Sequence, residues 1–236
     1  MFVEVLFGLP EKFAEAVVVV DVFRSSTSIV TAFENGALSI IPCSSPIEAL
    51  KLKERLGDDY LLVGEEFGFT PPGFDLNISP LLLTRERVGG RKMIYCSTNL
   101  MKVVSRCIDA KRLVIGGLVN SRAVAEYLNK IRPDKISIIA CGLIPKNMIT
   151  LEDVVGAGSI VYKLRYDDAS DAALIAQLTY ENDRWREIAP RSFIAGYLRQ
   201  IGWEDDVEVC LREDASEIIP VLEDGELKPV KLRDHL

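Results

Sequence analysis

Histidine is almost absent from this sequence: the single histidine, His235, is the second residue from the end of a 236-residue chain. Because chain termini are commonly frayed, we expect no chemistry that depends on a firmly held imidazole. This excludes Ser-His-Asp triads, phosphohistidine transfer and metal sites built from several histidines. Catalysis is left to carboxylates, hydroxyls, arginine, lysine or cysteine, and oxygen-rich sites of that kind favour a hard cation such as Mg²⁺.

Other features are missing as well. The five cysteines are widely spaced, with no Cys-x-x-Cys pair, which is typical of reduced thiols in a cytoplasmic protein. No apolar run is long enough to cross a membrane, and residues 1–13 lack the basic and apolar regions of a signal peptide. The net charge of −7 argues against nucleic-acid binding. A small anionic substrate held by a few local cations is compatible with it, and a homo-oligomer is left open.

Short β-branched runs alternate with segments of helical period, which predicts an α/β fold. Several strands are continuously apolar and are expected to be covered on both faces. The fold class predicted is therefore a three-layer α/β/α arrangement with a central, largely parallel or mixed sheet. The predicted strands lie near residues 2–7, 16–21, 37–42, 60–64, 92–96, 111–116 and 135–140, and the helices between them near 26–35, 46–56, 98–108 and 120–131. The second helix opens with Ser45, Pro46 and Glu48, which predicts a capping box.

The C-terminal part is predicted to be helical near 151–165, 169–182 and 184–201. Strand-like "DVEVCLRE" follows, and "IIPVLEDGELKPV" predicts a closing strand pair with a turn at "EDGE". We expect one domain over residues 1–236. The segment from Gly64 to Pro80 fits neither period, and long loops in compact domains are commonly functional or disordered. Its three phenylalanines argue against disorder.

The most informative stretch is "VVVVDVFRSSTS", residues 17–28, in which a buried strand delivers Asp21, Arg24 and then four hydroxyl residues. Ligands of α/β sheets bind beyond the carboxyl ends of the strands, and the N-terminus of the following helix is a natural anion site. A divalent cation would remove the repulsion between Asp21 and a bound phosphate. The alternative is structural: Ser25 or Ser26 caps the helix, and Asp21 forms a salt bridge with Arg24.

A second acidic pair, Glu152 and Asp153, opens a later helix in "TLEDVVGAGS". Thr150 and Asp153 also fit a capping box, so a structural role is open there. The run from Gly156 to Gly158 leaves one side of that helix nearly bare, and either another backbone or a ligand must approach it.

Polar residues end further strands: Ser97, Thr98 and Asn99 in "YCSTNLM", Asn120 in "GGLVNSR", and Cys141 with Gly142 in "ACGLIPKN". Each alone is typical of a cap or turn, but together they favour a shared site at one sheet edge. The sequence lacks the Walker A and Gly-x-Gly-x-x-Gly patterns. Phe23 stands where haloacid-dehalogenase-type phosphatases place a second aspartate.

Taken in order, these segments resemble the 2-phosphosulfolactate phosphatase family. The matching segments are "VVVVDVFRSSTSIVTAFENGA", "LLVGEEFG", "GFDLNISP", "STN" at 97–99, "GGLVNSRAVAEYL", "CG" at 141–142, "LEDVVGAG" and Asp206 in "DVEVCL". The resemblance implies a Mg²⁺-dependent phosphatase that converts 2-phosphosulfolactate to sulfolactate and phosphate in coenzyme M biosynthesis.

The resemblance also implies roles for individual residues. The expected metal carboxylates are Asp21, Glu152 and Asp153, with Asp21, Arg24 and Glu152 as the catalytic residues. The expected phosphate and substrate contacts are Arg24, Ser25, Ser26, Thr27, Glu65, Ser79, Thr98, Asn99 and Asn120.

Four residues depart from the family pattern. Glu66 stands where the family has arginine, Ile78 replaces an asparagine, and Leu100 and Met101 replace a glycine and a threonine. If the family arginine contacts the substrate, its replacement by Glu66 should weaken the binding of phosphosulfolactate. Two alternatives are therefore kept: a phosphatase for another small phosphomonoester, such as a phosphorylated hydroxy acid, and a non-catalytic anion-binding or metabolite-binding relative.

Overall fold

The computed structural model of the chain describes residues 1–231; the last five residues, with His235 among them, lie outside this range. Ten strands form one mixed sheet in the order β4-β5-β3-β10-β9-β6-β2-β7-β1-β8. The strands are β1 (Phe2–Phe7), β2 (Ala16–Val20), β3 (Ser39–Cys43), β4 (Tyr60–Gly64), β5 (Lys92–Cys96), β6 (Arg112–Gly116), β7 (Lys135–Ala140), β8 (Asp168–Ala169), β9 (Ile218–Glu223) and β10 (Glu226–Lys231).

The helices cover both faces of this sheet. They are α1 (Ser25–Glu34), α2 (Pro46–Leu56), α3 (Arg85–Val88), α4 (Leu100–Arg106), α5 (Ser121–Ile131), α6 (Leu151–Lys163), α7 (Asp171–Glu181), α8 (Trp185–Ile188), α9 (Phe193–Gln200) and α10 (Glu204–Cys210). No helix in the described range is long and apolar enough to span a bilayer. The seven strands predicted between residues 2 and 140 and the α/β pattern are thus confirmed.

Strand β2 shows why the fold has three layers. Alternate side chains of a strand point to opposite faces of its sheet. Val18 and Val20 join the hydrophobic core on one face, whereas Val17 and Val19 join the core on the other. All four valines are at most 1% exposed. The continuous apolar run therefore marks a strand with helices packed on both sides, as predicted.

The predicted closing strand pair forms, but in the middle of the sheet. The β9–β10 hairpin is antiparallel and pairs with β6 on one side and β3 on the other. Strands β4, β5 and β3 form one parallel group, and β6, β2, β7, β1 and β8 form another. The hairpin therefore joins two parallel groups of strands into one mixed sheet.

The strand predicted in "DVEVCLRE" is wrong, because this segment is the C-terminal part of α10 (Glu204–Cys210) and the turn after it. Alternating Val207 and Val209 suggested a strand, but Val207 and Cys210 are the buried pair, with the three-residue spacing of a helix face. Acidic residues in its first turn interact favourably with the helix dipole. The alternation of valines in the sequence does not reveal that one face of this helix is buried.

The helix predicted near 184–201 is also divided. A 3₁₀ turn at Ala189–Arg191, which contains Pro190, separates α8 from α9. Ser192 then caps α9 by accepting a hydrogen bond from the N–H of Ala195. Since proline removes a backbone donor inside a helix, the break follows from the sequence.

Only one of the two hydrogen bonds of the capping box predicted at the start of α2 is present. The Ser45 hydroxyl accepts a hydrogen bond from the N–H of Glu48 at 3.3 Å. The Glu48 carboxylate accepts from the N–H and hydroxyl of Ser44 instead of returning to Ser45. The helix start is nevertheless where the pattern places it.

The bare side of α6 faces other parts of the chain. A methyl group built at Gly158 would lie 2.0 Å from the carbonyl oxygen of Ala176 on α7, so two helix backbones touch there. At Gly156 it would meet the side chains of Val20 and Val22. Of the two explanations offered by the sequence, the approach of another backbone holds at Gly158.

Replacing Gly158 with alanine should therefore destabilise the protein. Overpacking of this kind costs about 1–3 kcal/mol, which outweighs the helix-propensity gain of at most about 1 kcal/mol. The free energy of unfolding, measured by urea denaturation, should fall. Gly196→Ala is the matched control, since a methyl group there would meet nothing within 4 Å in the described chain. A Gly158→Ala protein as stable as the control would contradict the close contact of α6 and α7.

Candidate active site

Asp21 follows β2 directly and closes the turn into α1. Its N–H donates to the Ser26 hydroxyl at 3.0 Å, and its carbonyl oxygen accepts from the Ser26 N–H at 2.9 Å. Asp21 is 3% exposed and lines a largely apolar cavity at this edge of the sheet. Ser26 thus shapes the turn, while the Thr27 hydroxyl faces the Cys210 thiol on α10. Neither is among the described residues that line the cavity.

Arg24 is buried and held from two sides. Its Nη1 donates to Asp206 Oδ2 at 2.7 Å, and its guanidinium carbon lies 5.0 Å from the centre of the Trp203 ring. The other Asp206 oxygen accepts from the Ser79 hydroxyl at 2.6 Å. The proposed salt bridge between Asp21 and Arg24 is therefore wrong, because Asp206 is the partner of Arg24.

One donor of Arg24 is left for a ligand. Its Nη2 is buried and has no hydrogen-bond partner in the described part of the chain, while Arg24 itself lines the cavity. Leaving a buried charged donor unpaired costs free energy. An anion in the cavity would satisfy it, in the fixed fork geometry that suits phosphate.

Asp153 ties two turns together. Its Oδ1 accepts from the N–H of Val22 at 2.7 Å, and its Oδ2 accepts from the N–H of Gly142 at 2.8 Å. These bonds join the turn after β2 to the turn after β7. The capping box predicted for Thr150 and Asp153 is therefore wrong, because the Asp153 carboxylate points to other segments.

Glu152, the residue before Asp153, is also buried. Its Oε2 has no hydrogen-bond partner among residues 1–231. Burial raises the pKa of Glu152 to about 7, and the Asp21 carboxylate adds to the rise. Burial and the charge of Glu152 raise the pKa of Asp153 to about 7 as well. The pKa of Asp21 is raised well above its usual range by burial and by the carboxylates of Asp153 and Glu65.

These carboxylates suit a hard cation in their chemistry. They are oxygen donors, they repel each other, and Glu152 has an unsatisfied oxygen. The described residues contain no closed group of three acidic, cysteine or histidine ligands. Mg²⁺ commonly takes only one or two carboxylates, with water and substrate phosphate completing its shell. The donor set therefore fits Mg²⁺ bound together with a phosphorylated ligand.

Glu65 organises the rim of the cavity. Its carboxylate accepts from the N–H of Thr98 at 2.5 Å, the Thr98 hydroxyl at 2.9 Å and the N–H of Gly68 at 2.6 Å. The Gly68 carbonyl in turn accepts from the indole N–H of Trp203 and the amide of Asn77. The long loop after β4 is thus pinned to its surroundings, in agreement with the order expected from its phenylalanines.

The cavity has a volume of about 190 Å³. Of the residues predicted from the sequence, six line it: Asp21, Arg24, Ser25, Glu65, Thr98 and Asn99. Its wall is otherwise largely apolar and includes residues that sequence reasoning missed, namely Phe67, Leu143, Pro145, Lys146, Phe193, Ile194, Tyr197 and Leu198. Most of these follow turns or lie on α9, and no motif links them to Asp21.

Two predicted substrate contacts have other partners. Asn120 is fully buried; its amide donates to the carbonyls of Ile115 and Ile218, and its Oδ1 accepts from the N–H of Gly117. Ser79 contacts Asp206 instead of the cavity. The structure therefore places Asn120 in a backbone-binding role and Ser79 behind Arg24.

Three of the four departures from the family pattern lie off the cavity. Glu66 is exposed and Leu100 and Met101 are fully buried in α4, and none is among the described lining residues. Only Ile78 lines the cavity. The charge reversal at Glu66 therefore falls outside the wall that a ligand would contact.

Comparison with known proteins supports the resemblance. The family model described as 2-phosphosulpholactate phosphatase matches residues 8–225. A protein of Carboxydothermus hydrogenoformans named probable 2-phosphosulfolactate phosphatase is 36% identical over 96% of both chains. Proteins of the same name from Thermotoga petrophila (34% identical, 88% of this chain and 89% of the relative) and Caldanaerobacter subterraneus (33%, 89% and 88%) are similarly related.

The raised pKa of Glu152 predicts a pH-dependent stability. An acid whose pKa rises on folding, here from 4.5 to about 7, is ionised at lower pH in the unfolded chain. Glu152 therefore costs no stability below pH 4.5, and its unfavourable contribution grows as the pH rises from 4.5 to about 7. Glu152→Gln should remove roughly 1–3 kcal/mol of this decline, measured by thermal unfolding in EDTA. Glu54→Gln, at an exposed position, is the control. An unchanged decline in Glu152→Gln would refute the raised pKa of the buried Glu152 carboxyl group.

Proposed function

Because the chain belongs to the 2-phosphosulfolactate phosphatase family, we propose that it hydrolyses 2-phosphosulfolactate to sulfolactate and phosphate. Attack of water on phosphorus breaks the P–O ester bond, and the leaving alkoxide takes up a proton. The observation that carries the proposal is the cavity in which Asp21 and the unpaired Nη2 of Arg24 lie together. The reaction would belong to coenzyme M biosynthesis and would take place in the cytoplasm.

Arg24 would bind the phosphoryl group. Its Nη2 is a charged donor already oriented by Asp206 and Trp203, so little side-chain entropy is lost when an anion binds. The Ser25 hydroxyl at the start of α1 lines the same cavity and adds a donor beside the positive end of the helix. These groups would stabilise the charge that spreads over the phosphoryl oxygens in the transition state.

Asp21 must be ionised to serve either as a ligand or as a nucleophile. Burial and the neighbouring carboxylates raise its pKa, which disfavours the ionised form when no cation is bound. Bound Mg²⁺ would supply positive charge that favours ionisation and would orient a water for in-line attack. Asp21 would bind the cation directly. The carboxylates of Glu152 and Asp153 would add negative charge that attracts the cation to this site.

The first test is phosphate release from 2-phosphosulfolactate, with Mg²⁺ and with excess EDTA. We expect release that depends on the metal. Asp21→Asn should reduce kcat by at least about a thousandfold, since the variant cannot carry the required charge, while its circular dichroism stays unchanged. A folded, Mg²⁺-loaded wild-type protein without release would refute the proposed substrate and favour an anion-binding protein.

Borohydride trapping under turnover separates two roles of Asp21. Direct attack by water leaves no trapped product, whereas a covalent route yields a reduced phosphoaspartate. We expect no trapped product from the wild-type protein. A trapped adduct at Asp21, absent from Asp21→Asn, would show the carboxylate to be the nucleophile.

Substitutions of Arg24 and Asp206 can distinguish an effect on stability from an effect on activity. Asp206→Leu alone leaves a buried guanidinium unpaired and should cost about 3–5 kcal/mol in the free energy of unfolding. Adding Arg24→Met should recover much of that loss, because an apolar pair needs no compensation. The double variant should still release no phosphate. Full activity in a stable double variant would show that Arg24 is not part of the phosphate site.

A further inference from the structure

Four charged residues line the cavity: Asp21, Arg24, Glu65 and Lys146. Arg24 is buried and its Nη1 is paired with Asp206, so its remaining donor serves one anionic group. Lys146 is exposed and comes from the turn after β7, a different segment of the chain. The cavity therefore carries a second cation besides Arg24.

The turn that bears Lys146 is firmly held. The N–H of Gly142 donates to Asp153, and the N–H of Ile144 donates to the Asn99 side chain at 3.1 Å. Leu143 and Met148 exchange two backbone hydrogen bonds across the turn. Lys146 is thus presented by a segment that is fixed at both ends and connected to Asn99, itself a lining residue.

The ammonium group of Lys146 is available for an anion. It lies 5.3 Å from the centre of the Phe193 ring, a cation–π distance that directs it over the apolar wall of the cavity. No salt bridge occupies it among residues 1–231. Glu65, the acidic residue at the rim, is instead engaged by Thr98 and Gly68.

We propose that Lys146 determines substrate specificity by binding a second anionic group of a small phosphomonoester, a carboxylate or a sulfonate. The inference rests on the proposed function, in which the phosphoryl group occupies the site of Asp21 and Arg24. It extends that function by assigning a binding residue, Lys146, to the part of the substrate that does not react. A phosphomonoester without a second anionic group gains nothing from Lys146.

The test compares Lys146→Gln with the wild-type protein on three substrates. These are 2-phosphosulfolactate, 2-phospholactate, which lacks the sulfonate, and 4-nitrophenyl phosphate, which lacks both further anions. We expect kcat/KM for 2-phosphosulfolactate to fall about tenfold, mainly through KM, as for a lost charged hydrogen bond. The value for 4-nitrophenyl phosphate should stay within about twofold. Lys146→Arg should recover most of the loss, because the charge is kept.

The second substrate identifies the bound group. An equal loss on 2-phospholactate supports a carboxylate contact, and an unchanged value supports a sulfonate contact. Lys51→Gln is the matched control, because Lys51 is exposed on α2 and lies outside the cavity lining. An equal loss on all three substrates, or on none, would overturn the proposal.

Binding of phosphonates keeps this proposal separate from the proposed function. If the wild-type protein does not hydrolyse 2-phosphosulfolactate, calorimetry with phosphonoacetate and methylphosphonate still tests Lys146. If Lys146→Gln weakens the binding of phosphonoacetate but not that of methylphosphonate, the result supports the second anion subsite. Equal affinity of wild type and variant both for phosphonoacetate and for its sulfonate analogue, phosphonomethanesulfonate, would overturn it.

Discussion

The buried ion pair between Arg24 and Asp206 is the constraint on which the site depends. A guanidinium removed from water is costly unless it is paired and hydrogen-bonded. Asp206, Ser79 and Trp203 meet that requirement from α10, the loop after β4 and the turn before α10. The cavity therefore exists only when these distant segments close around the first strand–helix turn.

The carboxylates impose the opposite constraint. Asp21, Glu152 and Asp153 are buried close enough to raise each other's pKa, so the cation-free fold carries electrostatic repulsion. Asp153 is retained in this arrangement because its two oxygens bind the turns after β2 and β7. A group that organises the backbone, Asp153, thus lies near one, Asp21, that lines the cavity. This division of roles explains why adjacent acidic residues should respond differently to substitution.

Local signals in the sequence were sufficient for much of the fold. The valine run gave β2 and its two covered faces, and the strand-end position of Asp21 and Arg24 placed them correctly at a cavity. The predictions that were wrong concern residues whose partners are distant in the sequence. The buried face of α10 is defined only by its packing against the rest of the chain, and the Asn120 amide donates to the carbonyl of Ile218 on β9. Lys146 carries no local pattern and becomes notable only beside Phe193. Residue type and spacing therefore indicated several of the polar residues at the cavity, whereas its apolar wall required the tertiary structure.

The position of the β9–β10 hairpin explains how the wall is assembled. Glu65 and Thr98 follow strands of one parallel group, whereas Asp21 and Gly142 follow strands of the other, and the hairpin lies between the groups. Ligand crevices form where the direction of strand connections changes, and side chains must bridge such a crevice. The hydrogen bond between the Asn99 side chain and the N–H of Ile144 crosses it at the cavity rim. Because that bond holds the turn of Lys146, the same contact that joins the two groups of strands also sets where a second anion can bind.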